Sequence, residues 1–338
     1  MKLQNIIEKH WYKKINLMLS IVLLPACLIF YTISKIRYHL YKYHILKSYK
    51  LPVPIVIVGN ISVGGAGKTP LTKMLAHELE LINVGIILRG YKGSASKQGI
   101  VVLPDMTSDE VGDEALIYAQ HGFKVAIGSD RYSAGLMLLA TYPEIQLIIA
   151  DDGLQHYRLQ RDFEIAVIDA SRLFGNNFML PMGPLRETIS RLDDVNAIVV
   201  NGVMDKTKLQ SLQLSDKNKS KLYTQQIVFD KIYNPVTSTY ANPGQFLNQR
   251  VCAIAAIGNP TKFFNLLGSL GIQLEQTLSF PDHYKYKSTD IPPNTTILVT
   301  EKDYTKLHKF VNPNIWVVYI KTQLNDDQLV NQIQALII

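Results

Sequence analysis

The sequence predicts an α/β protein, a doubly wound parallel sheet joined to a second, smaller α/β domain, with a membrane-associated helix at the N-terminus. Three observations predict it. Short β-branched runs alternate with stretches of helical character along most of the chain, the pattern of parallel strands joined by crossover helices. The first of those runs leads straight into a glycine-rich turn that opens a helix. Ahead of it lies an uncharged apolar segment of about 20 residues, the length of a bilayer-spanning helix.

The N-terminal segment, residues 1–50, is set apart by charge. The 338-residue chain has a formal net charge of +7, with 47% hydrophobic and 19% charged residues, the composition of a folded protein. Lys2, Lys9, Lys13, Lys14, Lys35, Arg37, Lys42, Lys47 and Lys50 stand against the single acid Glu8, so this end holds the whole excess and the remainder is close to neutral. A basic end on a near-neutral body points to an anionic membrane surface as a partner and away from nucleic acid. No obligate protein partner is implied. Cys27 and Cys252 lie far apart without metal-ligand spacing, which excludes a disulfide scaffold and a zinc ribbon and fits a reducing cytoplasm.

Ile15 to Ser34 is the uncharged run. A cleaved signal peptide does not fit, because Tyr31 to Arg37 offers no small-residue cleavage site. A spanning helix fits the length, with basic residues at both ends giving orientation no vote. A helix lying in the interface fits the continuation to Lys50, where Tyr31, Tyr38, Tyr41, Tyr43 and Tyr49 interleave with basic residues. A helix buried against the protein itself is the remaining reading.

Val53 to Val58 reads as a buried parallel strand, and Gly59-Asn60-Ile61-Ser62-Val63-Gly64-Gly65-Ala66-Gly67-Lys68-Thr69 follows at once, with a helix expected over 70–81. Strand, loop and helix in that order make the P-loop context, so the sheet is expected to be P-loop NTPase-like. Glycines let backbone N–H groups close on phosphate oxygens, Lys68 bridges the outer phosphates of ATP, and Thr69 ligates Mg²⁺. The loop departs from the common pattern at its first position, where Ser62 replaces glycine. Leu147 to Ala150 then reads as a central strand ending in Asp151 and Asp152, which places a carboxylate for the metal at the edge where such sheets bind ligands.

Further motifs continue in order: Arg89-Gly90-Tyr91, Val111-Gly112-Asp113-Glu114-Ala115, Asp130-Arg131, Asp151-Asp152-Gly153-Leu154-Gln155-His156, and Pro184-Leu185-Arg186-Glu187. Ile257-Gly258-Asn259-Pro260 with Phe263-Phe264, Phe280-Pro281-Asp282-His283 and Thr300-Glu301-Lys302-Asp303 complete the set. With the P-loop, and from about Leu51 to Leu307, they resemble the tetraacyldisaccharide 4′-kinases of lipid A biosynthesis. The resemblance implies transfer of the γ-phosphate of ATP to an acylated disaccharide lipid, forming lipid IVA. It also implies Mg²⁺ as cofactor and a place on the cytoplasmic face of the bacterial inner membrane, either peripheral or anchored by one helix.

By the same likeness Asp113 is the candidate base, with His283 beside it to orient or tune it; helix-start electrostatics is the plainer account of Asp113, and loop packing of His283. Arg186 could meet phosphate charge, as Lys68 does. Tyr91, Glu114, Arg131, Gln155, His156 and Glu187 are candidate substrate contacts, each with a turn-packing, helix-start or solvation alternative.

Strands are expected at Val53 to Val58, Gly85 to Leu88, Lys124 to Ile127, Leu147 to Ala150, Ile165 to Ile168 and Ala197 to Asn201, all in a P-loop domain over 51–225. The polar stretch Ser211 to Leu222 reads as a loop and 226–248 as a connection. Strands at Val251 to Ala256, Ile297 to Val299 and Ile315 to Ile320 place the smaller domain at 249–338. Two other functions compete. A membrane-cycling regulatory ATPase would carry a lysine directly before the paired glycines, where this chain has Val63. A GTPase would carry Asn-Lys-x-Asp, with which Thr300-Glu301-Lys302-Asp303 shares only Lys-Asp at the wrong spacing.

Overall fold

The computed structural model describes residues 2–204 and 214–337 and, of side chains, those from Ile6 onward. Its strands are β1 Ile55–Gly59, β2 Val84–Leu88, β3 Ile100–Val102, β4 Lys124–Ile127, β5 Leu147–Asp151, β6 Phe163–Asp169, β7 Ala197–Asn201, β8 Leu222–Asn234, β9 Thr239–Ala241, β10 Val251–Ala255, β11 Leu274–Ser279, β12 Thr296–Thr300 and β13 Ile315–Leu324. Its α-helices are α1 Lys2–Tyr12, α2 Leu17–Lys42, α3 Lys68–Glu78, α4 Ser108–Val111, α5 Asp113–Gln120, α6 Arg131–Thr141, α7 Asp216–Lys219, α8 Pro260–Ser269, α9 Glu301–Leu307 and α10 Gln328–Gln334.

Two compact units share the chain. One holds Met1–Leu88, Arg131–Gln226 and Leu324–Ile338; the other holds Arg89–Asp130 and Ile227–Gln323. A linear division at 225 and 249 therefore misses two exchanges. The stretch Arg89–Asp130, read from sequence as part of the P-loop domain, clusters with the later residues, and the last helix returns to the first unit.

In the first unit the strands run parallel in the order β2, β5, β1, β6, β7, β8. β1 lies inside this sheet, with Val58 beside Asp151 on one flank and Gly59 beside Ala166 on the other. Its Ile-Val-Ile-Val sequence is buried throughout, as a strand covered on both faces requires. The chain reaches β5 on one side of β1 and then crosses to β6 on the other. The C-terminal end of β1 is thus a topological switch point, where open α/β sheets bind ligands.

α2 begins at Asn16, whose side chain accepts from Leu19 N at 3.2 Å and caps the helix. Leu17, Met18, Ile21, Val22, Ile29 and Ile33 are all more than half exposed, and Cys27 is its one buried residue. A helix buried against the protein is therefore excluded for this segment. α2 is long and apolar enough to cross a membrane. Its polar end is tied down instead: Tyr38 donates to Asp194 Oδ2 at 2.8 Å and Ser34 to the Arg186 carbonyl at 3.3 Å.

In the second unit β11, β10, β12 and β13 form a parallel sheet. Alternate residues of β10 feed opposite cores, Val251, Ala253 and Ala255 with Phe263 and Leu267 of α8, and Cys252 and Ile254 with Leu307 of α9. β3 and β4 pair antiparallel in the same unit.

Most expected strands agree with the observed ones to within two residues; β13 runs on to Leu324. The helix expected over 70–81 is α3, starting two residues earlier. The loop expected over 211–222 begins outside the described residues, and its described part holds α7 and the first residue of β8. The connection expected over 226–248 is largely strand, since β8 continues to Asn234 and turns back into β9. Its two-residue alternation is broken by Gln225, Gln226, Asp230 and Lys231, which hides it from a pattern search.

Candidate active site

The glycine-rich turn is fixed from two sides. Its first half is zipped to the segment 184–186: Val63 N donates to Pro184 O at 2.8 Å, Arg186 N donates to Ile61 O at 2.7 Å, and Ser62 bridges Leu185. Its second half is held by residues of β7 and β8, with Asn201 Nδ2 donating to Ala66 O at 2.9 Å and Gln225 Nε2 to Gly67 O at 3.0 Å. Tying carbonyls to these donors leaves the turn's amides to form an anion-binding concavity at the start of α3. Gly67 has φ +92°, and a Cβ there would meet Asn201 Nδ2 at 2.2 Å, so only glycine closes this turn. Gly64 and Gly65 are exposed, Ala66 is buried, and Thr69 follows Lys68 in the first turn of α3.

Lys68 extends back over the loop. Its ammonium donates to Asn60 Oδ1 at 3.2 Å and pairs with Asp152 Oδ1 at 3.3 Å. Arg186 Nη1 reaches the same carboxylate at 3.4 Å, while Arg131, buried, donates to the Asp152 carbonyl at 2.9 Å. Asp152 stands just past β5 with a left-handed backbone, φ +49°. Burial pushes its carboxyl up, but Lys68, Arg186 and Arg131 outweigh that and hold it down to about 2. Asp151 is buried, and its Oδ1 accepts from Asp152 N at 2.8 Å. The two carboxylates thus divide: Asp152 meets the cations, and Asp151 shapes the turn that presents it.

These residues fit a nucleotide with Mg²⁺. Asn60 is fully buried and its Nδ2 lacks a partner, a deficit that a phosphate oxygen would remove. Among the described residues no cluster of three His, Cys, Asp or Glu could cage a metal. Mg²⁺ does not need one, since it keeps waters and takes one or two protein oxygens with substrate phosphates. Asp152 and Thr69 could supply them.

Gln155 and Glu187 pair with each other. Gln155 Nε2 donates to Glu187 Oε2 at 2.8 Å and to Asn60 O at 2.9 Å. Glu187 is buried, which pushes its carboxyl up against the pull of Gln155 and Arg191. His156 is half-buried, and its carbonyl accepts from Arg161 Nη2 at 2.5 Å. Gln155 and Glu187 brace the floor beneath Asn60.

The second unit gathers another cluster. Asp113, 6% exposed at the start of α5, meets His283 Nδ1 and Lys306 Nζ, each 2.8 Å from its Oδ2. Lys302, one turn before Lys306 on α9, pairs with Glu114 at 3.2 Å and Asp282 at 3.1 Å. The Tyr91 ring lies 5.1 Å from that of His283, tilted 56° to it, and His283 has φ +61°. Burial pushes the Asp113 carboxyl up; His283, Lys306 and Lys302 together hold it below the ordinary carboxylate value. Asp113 is an anion held by a histidine and the Lys306 ammonium, with the charge of Lys302 nearby.

The sequence model of the family described as tetraacyldisaccharide-1-P 4′-kinase matches residues 19–338. The chain belongs to this family. Tetraacyldisaccharide 4′-kinase of Chromobacterium violaceum is 40% identical over 330 residues, covering 95% of each chain. The enzyme of that name from Mannheimia succiniciproducens is 39% identical, covering 97% of this chain and 98% of its own. Among solved structures, LpxK from Aquifex aeolicus, crystallised in complex with ATP, superposes with a TM-score of 0.81 at 29% identity, over 95% of this chain and 100% of that one.

Family likeness brought Asp113 and His283 forward as a pair, and they meet although 170 residues separate them. Lys306 went unnoticed, because a lone lysine on a short helix gives no signal until the helix is packed. The family motif Thr300-Glu301-Lys302-Asp303 drew attention without assigned roles. Asp303 is fully buried, accepting from Ala256 N at 2.9 Å and the Tyr286 hydroxyl at 2.8 Å, so it locks α9 in place while Lys302 faces Glu114. Asn60 and Asn201 were missed for a similar reason, since amides at strand ends look like turn residues in sequence, and Gln225 because it lies in the strand β8 that its own polarity hides.

Proposed function

We infer that this protein transfers the γ-phosphate of ATP to the 4′-hydroxyl of a tetraacyldisaccharide 1-phosphate, forming lipid IVA in lipid A biosynthesis. The observation that carries the residue roles is the Lys68–Asp152–Arg186 arrangement over an ordered P-loop, in a chain matched along nearly its whole length by a lipid-disaccharide kinase family. Loop residues 62–67 bind the polyphosphate through their amides, and Lys68 and Arg186 take up charge on the transferring group. Asp152 and Thr69 would hold Mg²⁺, which would supply further charge neutralisation at the phosphates.

Asp113 accepts the proton of the attacking hydroxyl. Its low basicity suits a loose transition state, in which the proton leaves late and positioning outweighs base strength. His283 orients the carboxylate, and Lys306 keeps it ionised. Arg131, Gln155 and Glu187 position the P-loop side of the site without touching lipid. Tyr91 and Glu114, beside the Asp113 cluster, are assigned to the surroundings of the acceptor. α2 holds the enzyme at an anionic bilayer, on the cytoplasmic face where ATP is available.

The test is transfer of labelled γ-phosphate from ATP to tetraacyldisaccharide 1-phosphate in detergent micelles, with Lys68→Ala alongside. Label in the lipid that disappears with Lys68→Ala supports the reading. ATP hydrolysis by folded wild type without label in lipid would instead favour a regulatory ATPase.

A further inference from the structure

The strand next to β1 ends in a loop that carries a third cation to the phosphate turn. β6 runs parallel to β1 and stops at Asp169, so its following loop emerges beside the P-loop. That loop is an ordered turn: Ser171 N and Oγ donate to Asp169 Oδ1 at 2.9 and 2.7 Å, and Arg172 N donates to Asp169 O at 3.2 Å. Gly64, exposed with φ +107°, is so close to Arg172 that a methyl group on it would lie 3.2 Å from Arg172 Nη1.

The guanidinium rests on the leader. Its centre lies 5.0 Å from the centroid of the Tyr12 ring, at the last residue of α1, and the Tyr12 hydroxyl donates to the P-loop carbonyl of Val63 at 3.4 Å. α1 is anchored where it meets the fold: Trp11 Nε1 donates to Pro181 O at 3.1 Å, Asn176 Nδ2 to His10 O at 3.4 Å, and His10 is 2% exposed. Tyr12 lies ahead of residues 19–338, which the family's model matches.

We propose that Arg172, seated on Tyr12 of the leader helix, is a further nucleotide-binding residue, contacting the polyphosphate beside Gly64. Lys68 and Arg186 share Asp152, which cancels part of their charge, so a third cation at the loop has anionic oxygens left to serve. The Tyr12 platform makes this contact depend on how the leader is seated, which ties the membrane-binding end of the chain to nucleotide affinity. The proposal rests on the kinase reading of the P-loop.

The experiment measures dissociation constants for ATP with Mg²⁺ on full-length protein in micelles, with thermal unfolding in parallel, for Arg172→Met, Arg172→Lys, Tyr12→Ala and Lys68→Ala. Arg172→Met is expected to weaken ATP binding about tenfold at an unchanged unfolding temperature, the loss of one charge-assisted hydrogen bond. Arg172→Lys should stay within about threefold of wild type, and Tyr12→Ala should weaken binding several-fold. Wild-type affinity in Arg172→Met, or equal losses in Arg172→Met and Arg172→Lys, overturns the charge contact. Wild-type affinity in Tyr12→Ala overturns the link to the leader. Lys68→Ala separates the two levels: if it too binds ATP normally, the P-loop reading fails, whereas its loss of binding beside an unaffected Arg172→Met sinks only the present proposal.

Discussion

At the scale of single residues, the proposed chemistry concentrates at Asp113, the proposed base. A carboxylate held below its ordinary value is ionised throughout the neutral range, and its active form is lost only as pH falls through that lowered value. The rate of lipid phosphorylation should therefore stay flat from pH 8 down past 5, with any acid limb owed to Asp113 lying below about 3.9. An acid limb well above that range would contradict the assignment of the proton to Asp113. Asp113→Asn should lower kcat by about 10²–10⁴ while ATP affinity stays within a few-fold. Lys306→Met removes a cation that depresses the Asp113 value, so the acid limb should rise toward neutrality. The same change leaves a carboxylate buried without one partner, and chemical denaturation should register a loss of about 3–5 kcal/mol.

At the scale of elements, the P-loop and α2 make opposite demands. The loop tolerates no substitution at Gly67, where positive φ and the Asn201 amide both exclude a side chain. Gly67→Ala should abolish nucleotide binding, measured by titration with a fluorescent ATP analogue, while far-UV circular dichroism still reports the α/β fold. α2 tolerates nearly anything on its outer face as far as folding is concerned, because those residues touch little of the protein. Ile21→Lys combined with Ile29→Lys should leave thermal unfolding in detergent within a few degrees of wild type and release the protein from sedimenting vesicles. Retention of the double variant on vesicles would place the membrane contact elsewhere. These elements were legible in sequence for physical reasons: phosphate binding needs glycines beside a lysine, and an apolar run without charge has few other uses. β8 was not, because its polar residues Gln225 and Asn234 are buried by hydrogen bonds that exist only once the sheet has formed.

For the whole molecule, sequence order and spatial order part company. The stretch Arg89–Asp130 leaves the P-loop unit after β2 and joins residues that follow Ile227, which is how Asp113 comes to stand with His283 and Lys306. Periodicity locates most of the expected strands within two residues but carries no signal for such an exchange, since each segment looks locally like any other α/β piece. The phosphate-turn residues Ser62 to Thr69 were readable because they follow one another along one strand, loop and helix. Of the cluster proposed to handle the proton, Asp113 and His283 were readable only through family likeness and Lys306 not at all, because the three come from separate segments. Central to the whole account is the position of the new phosphate. Product made with labelled ATP should be treated with mild acid, which cleaves the anomeric 1-phosphate and spares an ordinary sugar phosphomonoester. The account predicts that the label stays on the lipid, at the 4′ position by NMR, and is missing when Lys68→Ala is used; label released with the 1-phosphate, or found at another hydroxyl, would contradict it.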